Sequence, residues 1–165
     1  MPERLRARSP RVLALASPGG HWIQLLRLAP AFVGCEVHWA TASPDGRADA
    51  EAVAQAQGLS PPRFHRFIDA HRHAKLRLVR QAFDVARILL RVRPDVVVST
   101  GASAGYFALR LGRLLGARTV WLDSVANAEE LSLSGAKAGR YADLFLTQWP
   151  ELARPGGPLY RGSVV

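Results

Sequence analysis

The sequence is poor in cysteine, in lysine and in long apolar runs. Its one cysteine, Cys35, cannot form an internal disulfide, and a single thiolate does not make a zinc site. We therefore expect a small buried residue, a cytosolic setting and no bound metal. No apolar run approaches the roughly 20 residues that cross a bilayer. The charged start lacks the apolar stretch of a signal peptide, which predicts a basic tail over residues 1–10.

What the chain has is apolar bulk and positive charge. Its 165 residues suit one domain, which we place at residues 11–165, and the 48% hydrophobic content is enough for a full core. The formal net charge of +9 favours a polyanionic partner, such as a nucleic acid, an acidic membrane surface or a phosphorylated substrate. No helix-turn-helix, aromatic RNA-binding strand or zinc finger is found, so we expect no nucleic-acid partner.

Strand and helix patterns alternate along the chain. Short apolar runs predict six strands, at residues 11–17, 35–42, 63–69, 95–101, 117–123 and 143–148. Helical periodicity fills four of the intervals, at residues 20–33, 43–58, 73–93 and 103–116. The first of these helices is expected to direct four apolar side chains inward, namely Ile23, Leu26, Leu28 and Phe32. This order predicts an α/β fold, a Rossmann-like open parallel sheet with helices on both faces.

Ligands of such sheets bind beyond the carboxyl ends of the strands. The polar and glycine residues expected there are Ser17, Gly19, Gly20, Thr100, Gly101, Ala102, Ser103, Asp123 and Ser124. The first turn, Ser17 to His21, lets the backbone approach a ligand and directs a helix N-terminus at it, which suits an anion such as a diphosphate. His21 could donate a hydrogen bond to phosphate or act as a general base. The alternative is an ordinary turn with a solvent-facing histidine.

The stretch "STGASAGYFALRLG" resembles a dinucleotide-binding turn, because Gly101 and Gly105 open a helix and Asp123 closes the next strand. Three features argue against a nicotinamide enzyme. Phe107 replaces the third glycine, the unit follows the fourth strand, and no Tyr-x-x-x-Lys pair is present. The same turn can hold another anion through its backbone amides, so we expect no cofactor.

The helix over residues 74–91 carries two adjoining stripes. An apolar stripe is expected to face the core, through Leu76, Val79, Phe83, Ala86 and Leu90. Beside it runs a basic stripe formed by Arg77, Arg80, Arg87 and Arg91. A basic amphipathic helix can lie on anionic lipid, while the more common interpretation is a solvated charged face.

In combination these residues resemble a known family. The stretches that match it, in order, are "SPGGHWIQLLRL", "PDVVVSTGASAGYFALRLGRLLGARTVWLDSVANAEELSLSG", "ADLFLTQWPELA" and "YRGSV". The family is the membrane-associated, acceptor-binding subunit of split glycosyltransferases. It includes the subunit that acts with a second chain on lipid-linked N-acetylglucosaminyl diphosphate, and bacterial exopolysaccharide and capsule subunits of the PssD type. The likeness starts at Arg11 and is weakest over residues 43–93.

The resemblance implies the N-terminal half of a two-domain GT-B transferase. The acceptor would be a polyprenyl-diphosphate-linked sugar at the cytoplasmic face of the membrane, and a small separate chain would bind the nucleotide-sugar donor. Transfer would be an inverting displacement without an essential metal, and we expect no activity without the partner. His21 would be the base or a phosphate contact. Asp123 would orient a sugar hydroxyl or balance a cation, and "YRGSVV" would belong to the partner-facing region.

Departures from the family pattern leave the identity of the sugar undetermined. Eukaryotic relatives carry an N-terminal membrane span that this sequence lacks, so we expect attachment that is peripheral or through a partner. Gln24 and Asp123 stand where relatives of the N-acetylglucosamine branch tend to carry Glu, which favours a capsule-type role. A non-catalytic membrane scaffold that recruits a complete transferase is the alternative from another class of protein.

Overall fold

Strands and helices alternate in the computed structural model, which describes residues 8–71 and 73–164. Its strands are β1 (Arg11–Leu15), β2 (Glu36–Thr41), β3 (Arg63–Arg66), β4 (Val96–Ser99), β5 (Arg118–Leu122), β6 (Leu144–Thr147) and β7 (Leu159–Tyr160). Its α-helices are α1 (Gly20–Arg27), α2 (Gly46–Ala56), α3 (Lys75–Val92), α4 (Ala102–Leu114) and α5 (Leu133–Ala138). The six predicted strands and four predicted helices are all found. The short elements α5 and β7 were not assigned from the sequence. Most of the predicted basic tail, residues 1–7, lies outside the described residues.

The strands form one parallel sheet in the order β3-β2-β1-β4-β5-β6-β7. The predicted open parallel sheet is therefore confirmed. The chain first builds outward from β1 to β3 and then returns to add β4 on the other side of β1. Strands β1 and β4 are neighbours whose connections run in opposite directions, which creates the crevice where such sheets bind ligands.

Each face of the sheet is covered by helices, as predicted. One apolar cluster joins α1 and α2 to the sheet, with Trp22 packed edge-on against Trp39 at a centroid distance of 5.8 Å. The other cluster joins α3, α4 and α5 to the opposite face, through residues such as Leu89 and Leu109. The strand between these layers is buried on both sides, which explains why β1 reads as an unbroken apolar run.

The predicted inward face of the first helix is confirmed for Leu26, Leu28 and Phe32, which lie in or against the core, and is wrong for Ile23. Ile23 is 52% exposed, while Trp22, Gln24 and Leu25 are buried. The helix also ends at Arg27, and a short 3₁₀ turn follows at Ala29–Phe32. The periodicity of apolar residues misses the buried position 24 because a glutamine occupies it.

The predicted core face of α3 is also wrong. Four members of its apolar stripe are exposed, namely Leu76, Val79, Phe83 and Leu90, while Ala86 is half-buried. A second stripe faces the sheet instead, formed by Gln81, Val85, Ile88, Leu89 and Val92. Both stripes follow helical spacing, so periodicity alone does not tell which one meets the sheet. The helix consequently presents a large apolar surface to solvent.

Candidate functional site

Two glycine turns meet at the crevice between β1 and β4. Gly19 (φ +81°) precedes α1, and Gly101 (φ +143°) precedes α4. Ala102, the first residue of α4, also has a positive φ of +64°, a strained conformation for a residue with a side chain. Neither helix has a side-chain cap or an acidic residue in its first turn. Both positive helix ends and their free N–H groups therefore remain available to an anion.

His21 joins the two turns. Its ring Nδ1 lies 2.9 Å from the carbonyl oxygen of Thr100, and the Thr100 hydroxyl donates in return to the His21 carbonyl at 2.6 Å. A carbonyl oxygen can only accept, so Nδ1 carries the proton and donates it. In the neutral ring, Nε2 then holds the free lone pair. The backbone of the second turn thus sets both the orientation and the tautomer of His21.

Gly101 is required beside this ring. A Cβ built on Gly101 would collide with Cε1 and Nδ1 of His21. The backbone dihedrals of Gly101 also lie in a region that glycine alone adopts readily. The glycine that the sequence suggested for an anion turn therefore has a second purpose, which is to make room for the histidine.

A cavity of about 460 Å³ opens beside His21. Ala102 and Ser124 form part of its wall, and the loop that follows β5 and the start of α5 form the rest. The loop contributes Ala126, Asn127, Glu130, Leu131 and Ser132, and α5 contributes Leu133 and Ser134. Glu130 was not predicted from the sequence as a site residue, because a loop without periodicity gives no signal of its own, and residues 131–135 contributed only to the family resemblance.

Asp123 holds this loop in place. Its Oδ1 accepts hydrogen bonds from the Trp121 indole (3.0 Å) and the Ser132 hydroxyl (2.7 Å). Its Oδ2 accepts from the Asn127 amide (3.2 Å) and the Ser132 backbone N–H (3.0 Å). The side chain is only 1% exposed and does not line the cavity. This geometry favours loop support over direct contact with a sugar, and it argues against the predicted role of Asp123 as a ligand residue.

Replacing Asp123 by alanine is expected to lower the free energy of unfolding by about 3 kcal/mol or more, since several buried donors lose their acceptor. Urea denaturation followed by circular dichroism measures this change. Asp45→Ala is the matched control, because Asp45 is exposed and makes no capping bond, and its effect is expected within about 0.5 kcal/mol. Equal effects of the two substitutions would contradict the assigned role.

A buried amide pair links the first turn to the end of the chain. Gln24 donates to the Ser124 hydroxyl (3.1 Å) and to the Gly20 carbonyl (3.2 Å). Gln148 donates to the Gln24 side-chain oxygen and accepts from the backbone N–H of Val164 at 3.0 Å. Both glutamines are at most 5% exposed. Their partners explain why a glutamine occupies an inward position of α1, and Gln148 is a site-supporting residue that the sequence analysis did not assign a role.

The structure brings together only part of the predicted residue set. Thr100 is buried behind His21, and Ser17 is nearly buried at the end of β1. Ser103 points toward α3, where its hydroxyl donates to Gln81 at 2.7 Å. Gly105 packs closely on Ser99 and Trp121, so helix packing accounts for this glycine without a dinucleotide. The residues that converge on the crevice are His21, Gly19, Gly20, Gly101, Ala102 and Ser124.

Curated proteins of one kind match most of the chain. No family model matches it. The UDP-N-acetylglucosamine transferase subunit ALG14 of Eremothecium gossypii is 32% identical over 87% of this chain and 74% of its own length. The mouse protein of the same name is 29% identical over 86% of this chain and 76% of its own length.

Solved structures show the same fold in larger enzymes. MurG of Acinetobacter baumannii superimposes with a TM-score of 0.70 at 16% identity, over 94% of this chain. The UDP-N-acetylglucosamine 2-epimerase of Rickettsia bellii gives a TM-score of 0.66 at 12% identity, over 95% of this chain. The chain spans 46% of the length of each of these structures, so the GT-B type of fold predicted from the sequence is confirmed for about half of such an enzyme. On the sequence matches, the chain belongs to the ALG14 family of UDP-N-acetylglucosamine transferase subunits.

Proposed function

We propose that the chain is the acceptor-binding subunit of a two-chain, inverting glycosyltransferase. A second, smaller chain would bind the nucleotide sugar, and this chain would bind a polyprenyl-diphosphate-linked sugar. The observation that carries the proposal is the free Nε2 of His21 at the point where two uncapped helix N-termini meet. The names of the relatives extend the proposal to UDP-N-acetylglucosamine as the donor, in place of the capsule-type sugar favoured by the sequence.

The acceptor diphosphate fits the two glycine turns. The backbone at Gly19, Gly20 and Gly101 can approach a phosphate without interference from side chains. The N-termini of α1 and α4 add free N–H donors and positive partial charge. The sugar attached to the diphosphate would then occupy the adjoining cavity, against Ser124 and the loop that Asp123 supports.

His21 would act as the general base in this arrangement. Its Nε2 takes the proton of the acceptor sugar hydroxyl while the hydroxyl oxygen attacks the anomeric carbon of the donor. The bond between that carbon and the nucleoside diphosphate breaks, and the diphosphate leaves with the electron pair. Thr100 keeps the ring in the correct tautomer throughout, because its carbonyl oxygen holds the Nδ1 proton.

The proposed donor-binding chain would supply the half of the cleft that lies opposite this domain. A GT-B enzyme closes its cleft between two domains, and this chain spans 46% of the length of MurG. The C-terminal residues up to Val164 are joined to the site through Gln148 and Gln24. A donor-binding chain that contacts this segment would therefore lie next to the acceptor turn.

Helix α3 is proposed to lie on the anionic surface of the membrane. Its exposed apolar stripe stands beside the four exposed arginines assigned from the sequence, Arg77, Arg80, Arg87 and Arg91. This combination is typical of helices that lie in the plane of a lipid surface. The Ser103–Gln81 hydrogen bond connects this helix directly to the second glycine turn.

The double substitution Val79→Asp/Phe83→Asp is expected to weaken binding to anionic vesicles by about a hundredfold or more, because burial of each side chain in lipid is worth roughly 1.5–3 kcal/mol and the two losses add. Both side chains are more than half exposed, so the fold should tolerate the change. Vesicle co-sedimentation measures the affinity. Leu114→Asp is the control, since Leu114 is 76% exposed on α4. A loss as large in this control would contradict a membrane role for α3.

The transfer reaction itself tests whether both chains are required. The chain is incubated with UDP-N-acetylglucosamine and a short polyprenyl diphosphate N-acetylglucosamine, alone and with a small candidate donor-binding chain encoded near its gene. Transfer is expected only when both chains are present. Full transfer by this chain alone would refute the two-chain proposal. An unchanged rate of transfer with His21→Ala would instead favour the alternative that the chain is a non-catalytic membrane scaffold.

A further inference from the structure

A groove of about 670 Å³ runs between the edge strand β3 and helix α3, away from the glycine turns. Phe64, Ile88 and Leu90 give it apolar surface. Arg66 lines it from the strand, and Arg87 and Arg91 line it from the helix. Its volume lies within the range of small-ligand pockets, about 300–1,000 Å³. Three of its lining residues, Arg87, Leu90 and Arg91, also belong to the surface of α3 that is proposed to face the membrane.

The charge of the groove is positive and uncompensated. Asp84 is its one acidic lining residue among those described, but its carboxylate already accepts from Arg80 at 3.1 Å and from the Ile68 N–H at 3.3 Å. Within the described residues, Arg66, Arg87 and Arg91 form no ion pair with a carboxylate. Three guanidinium groups thus border one groove without a carboxylate counterion from residues 8–71 and 73–164.

His65, on the strand side of the groove, is affected by the positive charge of the groove arginine Arg91. Burial, together with His38 and then Arg91, lowers the pKa of His65 to about 4. The ring is therefore neutral at pH 7, so the positive charge of the groove comes from its arginines. The Nε2 of His65 is 2.9 Å from His38 Nδ1, so this side of the groove is also held rigidly.

We propose that this groove binds the phosphate headgroup of an anionic membrane phospholipid. The inference deepens the proposed attachment of α3 to the membrane and rests on it. Guanidinium groups match phosphate oxygens in geometry and charge. Leu90, Arg87 and Arg91 belong both to the groove and to the exposed surface of α3, so a headgroup in the groove leaves its acyl chains beside the apolar stripe.

Arg66 separates this proposal from attachment of α3 in general, because it is the groove arginine that lies on the strand and outside the stripe. Binding of wild type and Arg66→Gln is compared on three vesicles: neutral phosphatidylcholine, phosphatidylcholine with phosphatidylglycerol, and phosphatidylcholine with oleate at equal surface charge. Arg140→Gln removes the same charge from an exposed position outside the groove and is the control.

Wild type is expected to bind phosphatidylglycerol vesicles more tightly than oleate vesicles of equal charge. Arg66→Gln is expected to weaken phosphatidylglycerol binding about tenfold and oleate binding by no more than about twofold. The proposed headgroup site would be overturned if Arg66→Gln weakened binding to both anionic vesicles equally, or if Arg140→Gln had as large an effect. Either result would leave the proposed attachment of α3 intact. The α3 double variant tests the attachment separately. Loss of vesicle binding in this variant supports attachment through α3, and unchanged vesicle binding contradicts it.

Soluble glycerol phosphate distinguishes a lipid headgroup from a free phosphate ligand. Millimolar glycerol phosphate is expected to leave vesicle binding unchanged within about twofold, since the headgroup gains affinity from the adjacent apolar contact. Displacement at that concentration would assign the groove to soluble phosphate compounds and overturn the lipid proposal. Self-association that α3 substitutions abolish, without vesicle binding, would assign the face to a second copy of the chain.

Discussion

The substitution His21→Ala is expected to lower kcat of the reconstituted transferase by about a hundredfold to ten-thousandfold, the usual contribution of a general base. The acceptor hydroxyl loses the group that takes its proton, while the two glycine turns that would hold the diphosphate keep their backbone. The acceptor KM is therefore expected to change far less than kcat. Initial rates over a range of acceptor concentrations, with both chains and saturating donor, separate the two quantities.

Two further variants control this result. His71→Ala removes an exposed histidine that does not line the cavity, and its rate is expected to match that of wild type. His21→Gln restores a polar side chain without a basic nitrogen, and it is expected to remain as slow as His21→Ala. A rise in KM with kcat unchanged would show that His21 is only a phosphate contact, and a wild-type rate would remove it from the chemistry.

The order of strands and helices was predictable because parallel sheets leave a strong pattern. Strands buried on both faces, such as β1 and β4, appear as unbroken apolar runs between helical segments. Glycine turns mark the ends of those two strands, so the place of the crevice also followed from the sequence. The register of α3 and the buried position 24 of α1 did not follow, since each helix has a polar residue, Gln81 or Gln24, facing inward.

The support of the candidate site lay beyond the sequence for a related reason. Hydrogen bonds that span long separations leave no local periodicity, and Gln148 meets Gln24 across 124 positions. The carboxylate at position 123 suggested a group that contacts the ligand. The fold instead surrounds it with three donors from the loop that follows β5 and with the Trp121 indole of β5. The residue types indicated the chemistry of the site, but the direction in which each side chain points depended on the fold.

The exposed stripe of α3 shows the same limit with a useful consequence. Leu76, Val79, Phe83 and Leu90 repeat as a core face does, yet they face solvent. A sheet can bury only one of the two apolar stripes on one helix. The unburied stripe and its neighbouring arginines then form the surface for which a lipid partner is proposed.

The substitution Gly101→Ala is expected to reduce kcat about as much as the loss of His21 itself. A Cβ at this position would occupy the space of the His21 imidazole, so the ring would leave the Thr100 carbonyl and its Nε2 would lose its place in the cavity. The backbone conformation adds strain of about 1–3 kcal/mol for any residue other than glycine. Activity and urea denaturation are measured on the same preparation, so that loss of fold and loss of rate are separated.

Gly116→Ala is the matched control for this strain. Gly116 also has a positive φ, of +85°, but it lies at the end of α4 with no atom near enough for a Cβ to meet. Its replacement is expected to cost about 1 kcal/mol of stability and no activity. If Gly101→Ala reduces stability as this control does and leaves kcat intact, the imidazole does not depend on the glycine for its position. A folded Gly101→Ala variant with the kcat of His21→Ala would show that the second turn orients the base.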